Sequence, residues 1–306
     1  MDGEKDRIMR KIALISFLCL PLLLHAEHVF ELGLHAGGTT WKAQPVYVNT
    51  QMGLHTGLHL YYDYFSPDIL GFRTGLTLDW HQSGLHKSDY EDSYSTIDVD
   101  EQPMVIDYRI NRLTEQYTTY SLGVPLQLAL AYHRFALFAG AKVVFPLRSN
   151  WVQTAQNAQL SVYFPTYDNR VYESVPLAAS RDFSMQNSGT LDLPKVQWWL
   201  SFELNYTLPI TTWNNSFRSY IMIGAYFDYS LSPVRAEASD AISLLMLTDT
   251  RDGFPLQRVM TPVLNANRQN ARLIPSFAPL DFGIKLSYAL SPYNPHPHSA
   301  RHCNCL

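Results

Sequence analysis

The sequence predicts an all-β chain: an eight-stranded antiparallel transmembrane β-barrel of the outer-membrane type, with short periplasmic turns and long extracellular loops. Eight stretches between Val29 and Leu290 alternate apolar with polar residues, and the connections between them are alternately long and short. The chain also opens with a segment shaped like a secretory signal. Successive side chains of a strand point to opposite faces, so a barrel with lipid outside and packed polar groups inside must alternate in this way.

Residues 1–26 read as a signal peptide that is removed. Met9-Arg10-Lys11 gives a basic start, Ile12 to Leu24 an apolar run of 13 residues, and Ala26 a small residue at the cleavage point. That run is too short to span a bilayer as a helix. Cys19 lies inside it and reads as packing, not as an acylation site.

The barrel is expected over 27–290. Strand one, 29 to 40, turns Glu31, Gly33 and His35 inward. After the connection 41 to 51, strand two, 52 to 65, places Leu54, Leu58 and Leu60 outward and His55, His59 and Asp63 inward. The turn Ser66-Pro67-Asp68-Ile69 leads to strand three, 70 to 84, with Leu76 and Leu78 outward and Arg73, Asp79 and His81 inward. Beyond loop 85 to 116, strand four, 117 to 132, shows Leu122, Val124, Leu126, Leu128 and Leu130 to lipid. His133-Arg134 turns into strand five, 135 to 149, which carries Lys142 inward. Loop 150 to 195 precedes strand six, 196 to 210, with Leu200, Phe202 and Leu204 outward and Glu203 inward. The turn 211 to 218 gives strand seven, 219 to 234, with Asp228 inward. Loop 235 to 276 gives strand eight, 277 to 290, with Asp281, Gly283 and Lys285 inward. An even strand count puts the four longer connections on one side, the asymmetry of outer-membrane barrels.

The outward parity also brings Tyr64, Phe72, Tyr132, Phe135 and Tyr288 to the periplasmic edge. Trp80, Tyr120, Phe145, Trp198 and Tyr229 fall near the outer edge. Two aromatic girdles follow. Inside, the charged set Glu31, Asp63, Arg73, Asp79, Lys142, Glu203, Asp281 and Lys285 is expected to form a structural lumen network. Asp63 should face Arg73, Lys142 should meet Glu203, and Glu31 should meet Lys285 where strand one closes onto strand eight. An eight-stranded interior is just wide enough for side chains to fill it, so a plug stapled by ion pairs is favoured over a gated polar path.

Composition fits a barrel, in which only every second strand residue meets lipid. Mean hydropathy is −0.13 although 13% of residues are aromatic. Residues 1–26 hold 4 of the 23 basic and 3 of the 27 acidic side chains, leaving 19 against 24 and a net charge of −5. No basic patch argues for nucleic acid. Beyond Cys19 the cysteines are Cys303 and Cys305, so cohesion is expected from the closed hydrogen-bond ladder and not from disulfides.

No catalytic, metal-binding or cofactor-binding residue is assigned. His81-x-Ser83 is the one pairing of a nucleophile with a base, but both side chains point into the barrel and the sequence places no acidic orienter. His55 and His59 are four residues apart on one strand, about 13 Å, and read with His35 as lumen polar groups. His296, His298, His302, Cys303 and Cys305 are borderline or soft ligands, but Cys-x-Cys lacks the paired spacing of a zinc motif. The tail 291–306 reads as disordered. Loop 85 to 116 is acidic, with Asp89, Glu91, Asp92, Asp98, Asp100, Glu101 and Asp107 against Lys87, Arg109 and Arg112. It reads as a solvated surface, or as a holder of the cations that bridge lipopolysaccharide. The apolar run Ile242 to Leu247 is unusual in an exposed loop and reads as a cover for the barrel mouth or as a docking surface.

Asp281-Phe282-Gly283-Ile284-Lys285-Leu286-Ser287-Tyr288 resembles the last-strand signal of outer-membrane barrels. On that resemblance, Gly283, Leu286 and Tyr288 are the assembly signal recognised by the insertion machinery. Leu122-Gly123-Val124-Pro125-Leu126, Phe138 to Lys142 and Ile223 to Tyr229 resemble central strands of barrels related to the outer-membrane protein A transmembrane domain and the PorT-like group. The resemblance covers 27–290. Outer-membrane protein A relatives often continue into a peptidoglycan-binding domain. Here Tyr288 lies 18 residues from the last residue, so that role is not carried over. The expected protein is a non-enzymatic integral barrel of a Gram-negative outer membrane, with a structural or interaction role through its extracellular loops. The alternatives are a narrow pore or component of a secretion or envelope assembly complex, as the PorT-like resemblance implies, and a lipid A-modifying enzyme. Expected partners are outer-membrane lipid and lipopolysaccharide, the insertion machinery and a protein at the loops.

Overall fold

The computed structural model describes residues 27–43, 49–66, 69–97, 101–171, 183–191, 193–210, 217–232, 245–248, 257–260, 267–268, 271–272 and 277–292. The predicted signal segment and the His/Cys tail from 293 onward lie outside these.

Eight long strands make the barrel: β1 (Glu27–Ala43), β2 (Asn49–Phe65), β3 (Leu70–Ile97), β4 (Pro103–Tyr132), β5 (Phe135–Phe164), β6 (Gln197–Ile210), β7 (Phe217–Ser230) and β8 (Phe277–Pro292). Each pairs antiparallel with the next, and β8 pairs with β1 to close the ring. From Phe30 the register runs through Tyr62, Thr74, Leu126, Ala141, Leu200, Tyr229 and Leu280 and returns to β1 at Thr40. A stagger of ten residues over eight strands corresponds to a strand tilt of about 40° and a radius of about 8 Å. The band Leu70 to Trp80 on β3 then rises about 25 Å, the height of an outer-membrane apolar belt.

Alternation sets the faces. Leu34, Leu58, Leu78, Leu128, Leu204 and Ile284 are exposed on the outside. Arg73, Asp79, Gln127, Glu203 and Asp281 are buried inside. Tyr132, Phe135 and Tyr288 are exposed at the end with the tight turns, and Tyr120 and Trp198 at the other. The two-residue turn after β4 places His133 at φ 55°, as a primed hairpin turn requires.

Three strands run far past the belt, which corrects the expected boundaries. Loops were predicted over 85–116 and 150–195. Instead β3 continues to Ile97, β4 starts at Pro103, β5 continues to Phe164, and Phe183–Thr190 pairs with β5. The ring opens where β5 leaves β6, after the pair Val144 and Gln197. Pro146, just beyond, has no N–H to offer a neighbouring strand, and the register between β4 and β5 shifts at Tyr120/Ser121. Above this point β3, β4, β5 and Phe183–Thr190 form an outer sheet.

The inner face changes polarity at the same level. His81, Thr119 and Ser149 form one cross-strand row; Ser83, Tyr117 and Trp151 form the next row up. Below them the inner face carries charges; above them, apart from the buried pair Glu115 and Gln153 beside Leu85, Leu85, Tyr90, Tyr94, Ile106, Ile110, Leu113, Ala158 and Val162 are buried in one apolar cluster with Leu191. Trp41 of β1 joins it through Tyr117, ring centroids 4.5 Å apart. The outer face turns polar, with Arg109 between Asp89 at 3.1 Å and Glu91 at 3.3 Å, all exposed. Asp89, Glu91 and Asp107 of the predicted acidic loop therefore lie on one face of a sheet, and Asp98 and Asp100 lie outside the described residues. Asp92 points inward and accepts from the Tyr90 and Tyr108 hydroxyls at 3.2 and 3.3 Å. Burial pushes the Tyr90 phenol above its usual range and keeps it a donor.

Asp89, Asn111 and Asn157 are skipped by the pairing at one level across β3, β4 and β5. Asp89 and Asn157 both take φ 52°, a conformation that Asp and Asn tolerate. The row shifts the parity of all three strands together, so Tyr90, Ile110 and Ala158 stay inward. Of the apolar run 242–247, Leu245–Thr248 pairs with Gln257–Met260; the rest lies outside the described residues.

Candidate functional site

The lumen is filled in layers. Its periplasmic floor is apolar, made by Val29, Phe65, Ala129, Ala136, Phe138, Tyr220, Met222 and Ala289. A cavity of about 100 Å³ opens beneath it.

Above the floor sits Arg73. Its Nε and Nη2 donate to the two carboxylate oxygens of Asp63 at 2.6 and 2.7 Å, and Nη1 donates to Glu203 at 2.6 Å. Nη2 also contacts Glu31. The guanidinium lies 3.5 Å from the centroid of the Phe138 ring and 4.7 Å from that of Tyr61. Lys285 contacts Glu203 and lies 3.2 Å from Glu31 Oε1. All of these charged groups are buried. A cation surrounded in this way satisfies its fork of donors and offsets desolvation, which a single partner would not.

The next layer is built on Lys142, whose Nζ lies 3.0 Å from Asp79 and 3.2 Å from Asp228. The Thr77 hydroxyl donates to Asp79 at 2.7 Å, Ser201 donates to Asp228, and Gln127 donates to Ser201 at 3.0 Å. Around them stand His35, His55, His59 and His81. His35 Nε2 lies 2.9 Å from Asp79, His81 Nδ1 lies 3.1 Å from Asp281, and His59 Nε2 lies 3.1 Å from Glu31. The rings of His55 and His81 stack at 4.4 Å and 4°.

The eight predicted lumen residues thus fall into two layers, with partners that differ in part from those expected. Asp63 and Arg73 are directly opposed across β2 and β3, and Glu31 reaches Lys285. Lys142 does not meet Glu203. It sits opposite Trp199, whereas Glu203 sits opposite Phe138, so Lys142 turns to Asp79 and Asp228. Counting positions from turns misses this because it ignores the tilt of the ladder. Asp228 was on the inward face by parity alone. Tyr61, Phe138 and Tyr226, which also pack inside, carry no polar signal that marks them.

His81 was paired by sequence with Ser83. In the structure its Nε2 lies 3.2 Å from Ser121 Oγ of β4, with Asp281 on its other nitrogen. The line Ser121, His81, Asp281 lies inside the lumen, with Ser121 and Asp281 buried and His81 partly so, and an acyl chain in the bilayer would have to cross the hydrogen-bonded wall to reach it. A cavity of about 40 Å³ at the mouth is lined by His81, Ser83, Trp41, Leu191 and Trp199 among others.

An antiparallel eight-stranded barrel with an outward apolar belt and a packed, charged interior is the class these features define. No family model and no curated protein matches the chain. Among solved structures it is similar to Ail, the attachment invasion locus protein of Yersinia pestis, in complex with the heparin analogue sucrose octasulfate. That likeness has 10% identity over 85% of this chain and 98% of that one, with a TM-score of 0.24. Neisserial surface protein A matches at 9% identity over 88% and 99%, TM-score 0.22. CarO2 of Acinetobacter baumannii matches at 13% over 83% and 99%, TM-score 0.23. The barrel itself is read from this chain's own closed register.

Proposed function

We propose that this chain is a non-enzymatic integral protein of a Gram-negative outer membrane, in which a stapled barrel supports an interaction surface on the outer sheet. The observation that supports it is the inversion of polarity along β3, β4 and β5. These strands leave the belt, bury an apolar inner face of their own and present a polar outer face. About 45 Å of strand between Ser83 and Ile97 is far more than a connection needs, and its buried core makes it a rigid projection. The lumen below is closed by the groups around Arg73, which favours a support over the narrow pore or an assembly-complex channel. A lipid A-modifying role finds no nucleophile paired with a base on the bilayer face among the described residues.

Planar-bilayer recording of the refolded protein tests the support reading, with no channel steps expected. Discrete steps altered by Glu203→Gln would replace it with the narrow-pore reading. The outer sheet is tested by joining Ser88 to Arg112, which face one another across β3 and β4, through a two-residue Asn-Gly turn. The shortened protein should still show heat-modifiable gel mobility while losing surface binding to its partner. Full retention of that binding would remove the sheet from the function.

A further inference from the structure

Six buried carboxylates of the described barrel interior, Glu31, Asp63, Asp79, Glu203, Asp228 and Asp281, face three fixed cations, Arg73, Lys142 and Lys285. The shortfall is uneven. The Arg73 layer sets three carboxylates against two cations, but the layer above sets Asp79, Asp228 and Asp281 against Lys142 alone. Two negative charges there have imidazoles as their remaining neighbours.

One set of tautomers satisfies the contacts from below upward. Ser287 donates to Glu31 Oε1 at 2.6 Å, and His59 Nε2 lies 2.8 Å from the Ser287 oxygen and 3.1 Å from Glu31. That nitrogen is therefore the donor, and His59 Nδ1 is an acceptor. His35 Nδ1 lies 3.5 Å from it, and with Nδ1 carrying the proton of that contact His35 Nε2 turns its lone pair to Asp79 Oδ1, 2.9 Å away. On the other side, His55 Nδ1 lies 2.8 Å from the Tyr226 hydroxyl, and with Nδ1 donating to that oxygen His55 Nε2 keeps its lone pair 3.7 Å from the same carboxylate oxygen. His35 Nε2, His55 Nε2 and Asp79 Oδ1 are buried, and none makes an aligned hydrogen bond. With these tautomers three lone pairs converge on one point of a layer short of positive charge.

We propose that His35, His55 and Asp79 bind a divalent transition-metal ion of the zinc type in the outer half of the lumen. The three ligand atoms lie within 4.8 Å of one another, and the 2.9 and 3.7 Å from Asp79 Oδ1 to the two imidazoles bracket the separation of about 3.3 Å between ligands of a tetrahedral ion at 2.0–2.1 Å. Two imidazoles and a carboxylate suit zinc and its neighbours better than calcium or magnesium. The surroundings also fit. Lys142 and Thr77 hold the other oxygen of Asp79, Tyr226 holds the far nitrogen of His55, and His59 holds that of His35, the kind of support that orients metal ligands. A cavity of about 10 Å³ beside His35, His55 and His59 has room for one water as the fourth ligand. An ion of charge +2 neutralises the two uncompensated carboxylates of the layer. It would tie β1, β2 and β3 together just below the point where the ring opens.

The test is a zinc titration of the detergent-refolded full chain after chelator dialysis. The tail is silenced by His296→Ala, His298→Ala, His302→Ala, Cys303→Ser and Cys305→Ser. One Zn²⁺ per chain is expected to bind and to raise the unfolding midpoint, and Co²⁺ in its place should give the visible absorption of a tetrahedral site. His35→Ala, His55→Ala and Asp79→Asn, each checked for folding by gel mobility, should weaken binding at least about 100-fold, whereas His133→Ala on the periplasmic turn should leave it unchanged. Should the ligand variants fail to fold, Tyr226→Phe retains all three ligands and is expected to weaken binding about tenfold. No binding by the tail-silenced protein, or an affinity indifferent to these substitutions, would overturn the proposal.

Discussion

Gly37 of β1 and Gly283 of β8 face each other across the seam that closes the barrel. A Cβ on Gly37 would fall 1.9 Å from the Phe282 carbonyl oxygen, and one on Gly283 would fall 2.2 Å from that of Ala36. The strands approach here as only glycine permits.

Seam closure is accordingly expected to be sensitive to Gly283→Val. Backbone, not a flexible side chain, meets the new atoms, so the strands must separate and ladder bonds must break in a medium that offers no replacement. We predict a refolded product lacking the heat-modifiable compact band, whereas Ile284→Val on the exposed face should fold like the wild type. Leu286 and Tyr288 lie on that same outer face, where the insertion machinery can contact them. An assembly signal there predicts that Tyr288→Ala slows insertion in cells more than it slows refolding in detergent.

Arg73 carries the next expectation. Replacing it with Ala strands Asp63 and leaves Glu31 and Glu203 with Lys285 alone in a buried site, and breaking a buried pair costs about 3 to 5 kcal/mol. Urea unfolding followed by tryptophan fluorescence should show a loss of that order. The double substitution Arg73→Met, Asp63→Leu removes charge on both sides and should restore part of it. A single Arg73→Ala loss below about 1 kcal/mol would mean that water already solvates the layer.

The barrel was legible because lipid imposes a period of two on every strand, and parity puts the eight charged residues Glu31, Asp63, Arg73, Asp79, Lys142, Glu203, Asp281 and Lys285 on the face that the structure buries. Side-chain pairings were less legible because they depend on tilt. Lys142 and Glu203 share a height by counting, but the ladder puts Trp199 and Phe138 opposite them. The outer sheet was missed for a different reason. Residues 85–116 also alternate, through Leu85, Tyr90, Tyr94, Met104, Ile106, Tyr108 and Ile110, but, Asp92 and Glu115 apart, their inward face is apolar where the lumen's is charged, and the shift at Asp89 breaks the period. The same alternation with the opposite sense reads as a loop when a lumen pattern is sought.

If the outer sheet has its own core, the two faces of β4 should respond oppositely to substitution. Ile110→Asp places a charge in the apolar cluster and should unfold the projection, exposing β3 and β4 to protease while the barrel stays heat-modifiable. Arg109→Ala, one residue away, removes ion pairs that are exposed and worth at most about 1 kcal/mol. Limited proteolysis should therefore distinguish Ile110→Asp sharply from wild type and Arg109→Ala hardly at all. Equal resistance of all three would mean that the cluster does not hold the sheet.

The skipped row gives a test of backbone, not of packing. Asn157 holds φ 52° within β5 and lets Ala155 and Ala158 both point inward. A β-branched residue resists that conformation, at about 1 to 2 kcal/mol, whereas glycine adopts it freely. Asn157→Val should loosen the upper part of β5, seen as faster amide exchange over 150–164 with the lower half of the strand unaffected. Asn157→Gly should exchange like the wild type. Slow exchange in the valine variant would require β5 to abandon the skip, which turns Ala158 and Val162 to the polar side, so the buried cluster would report it through increased exposure of Trp151.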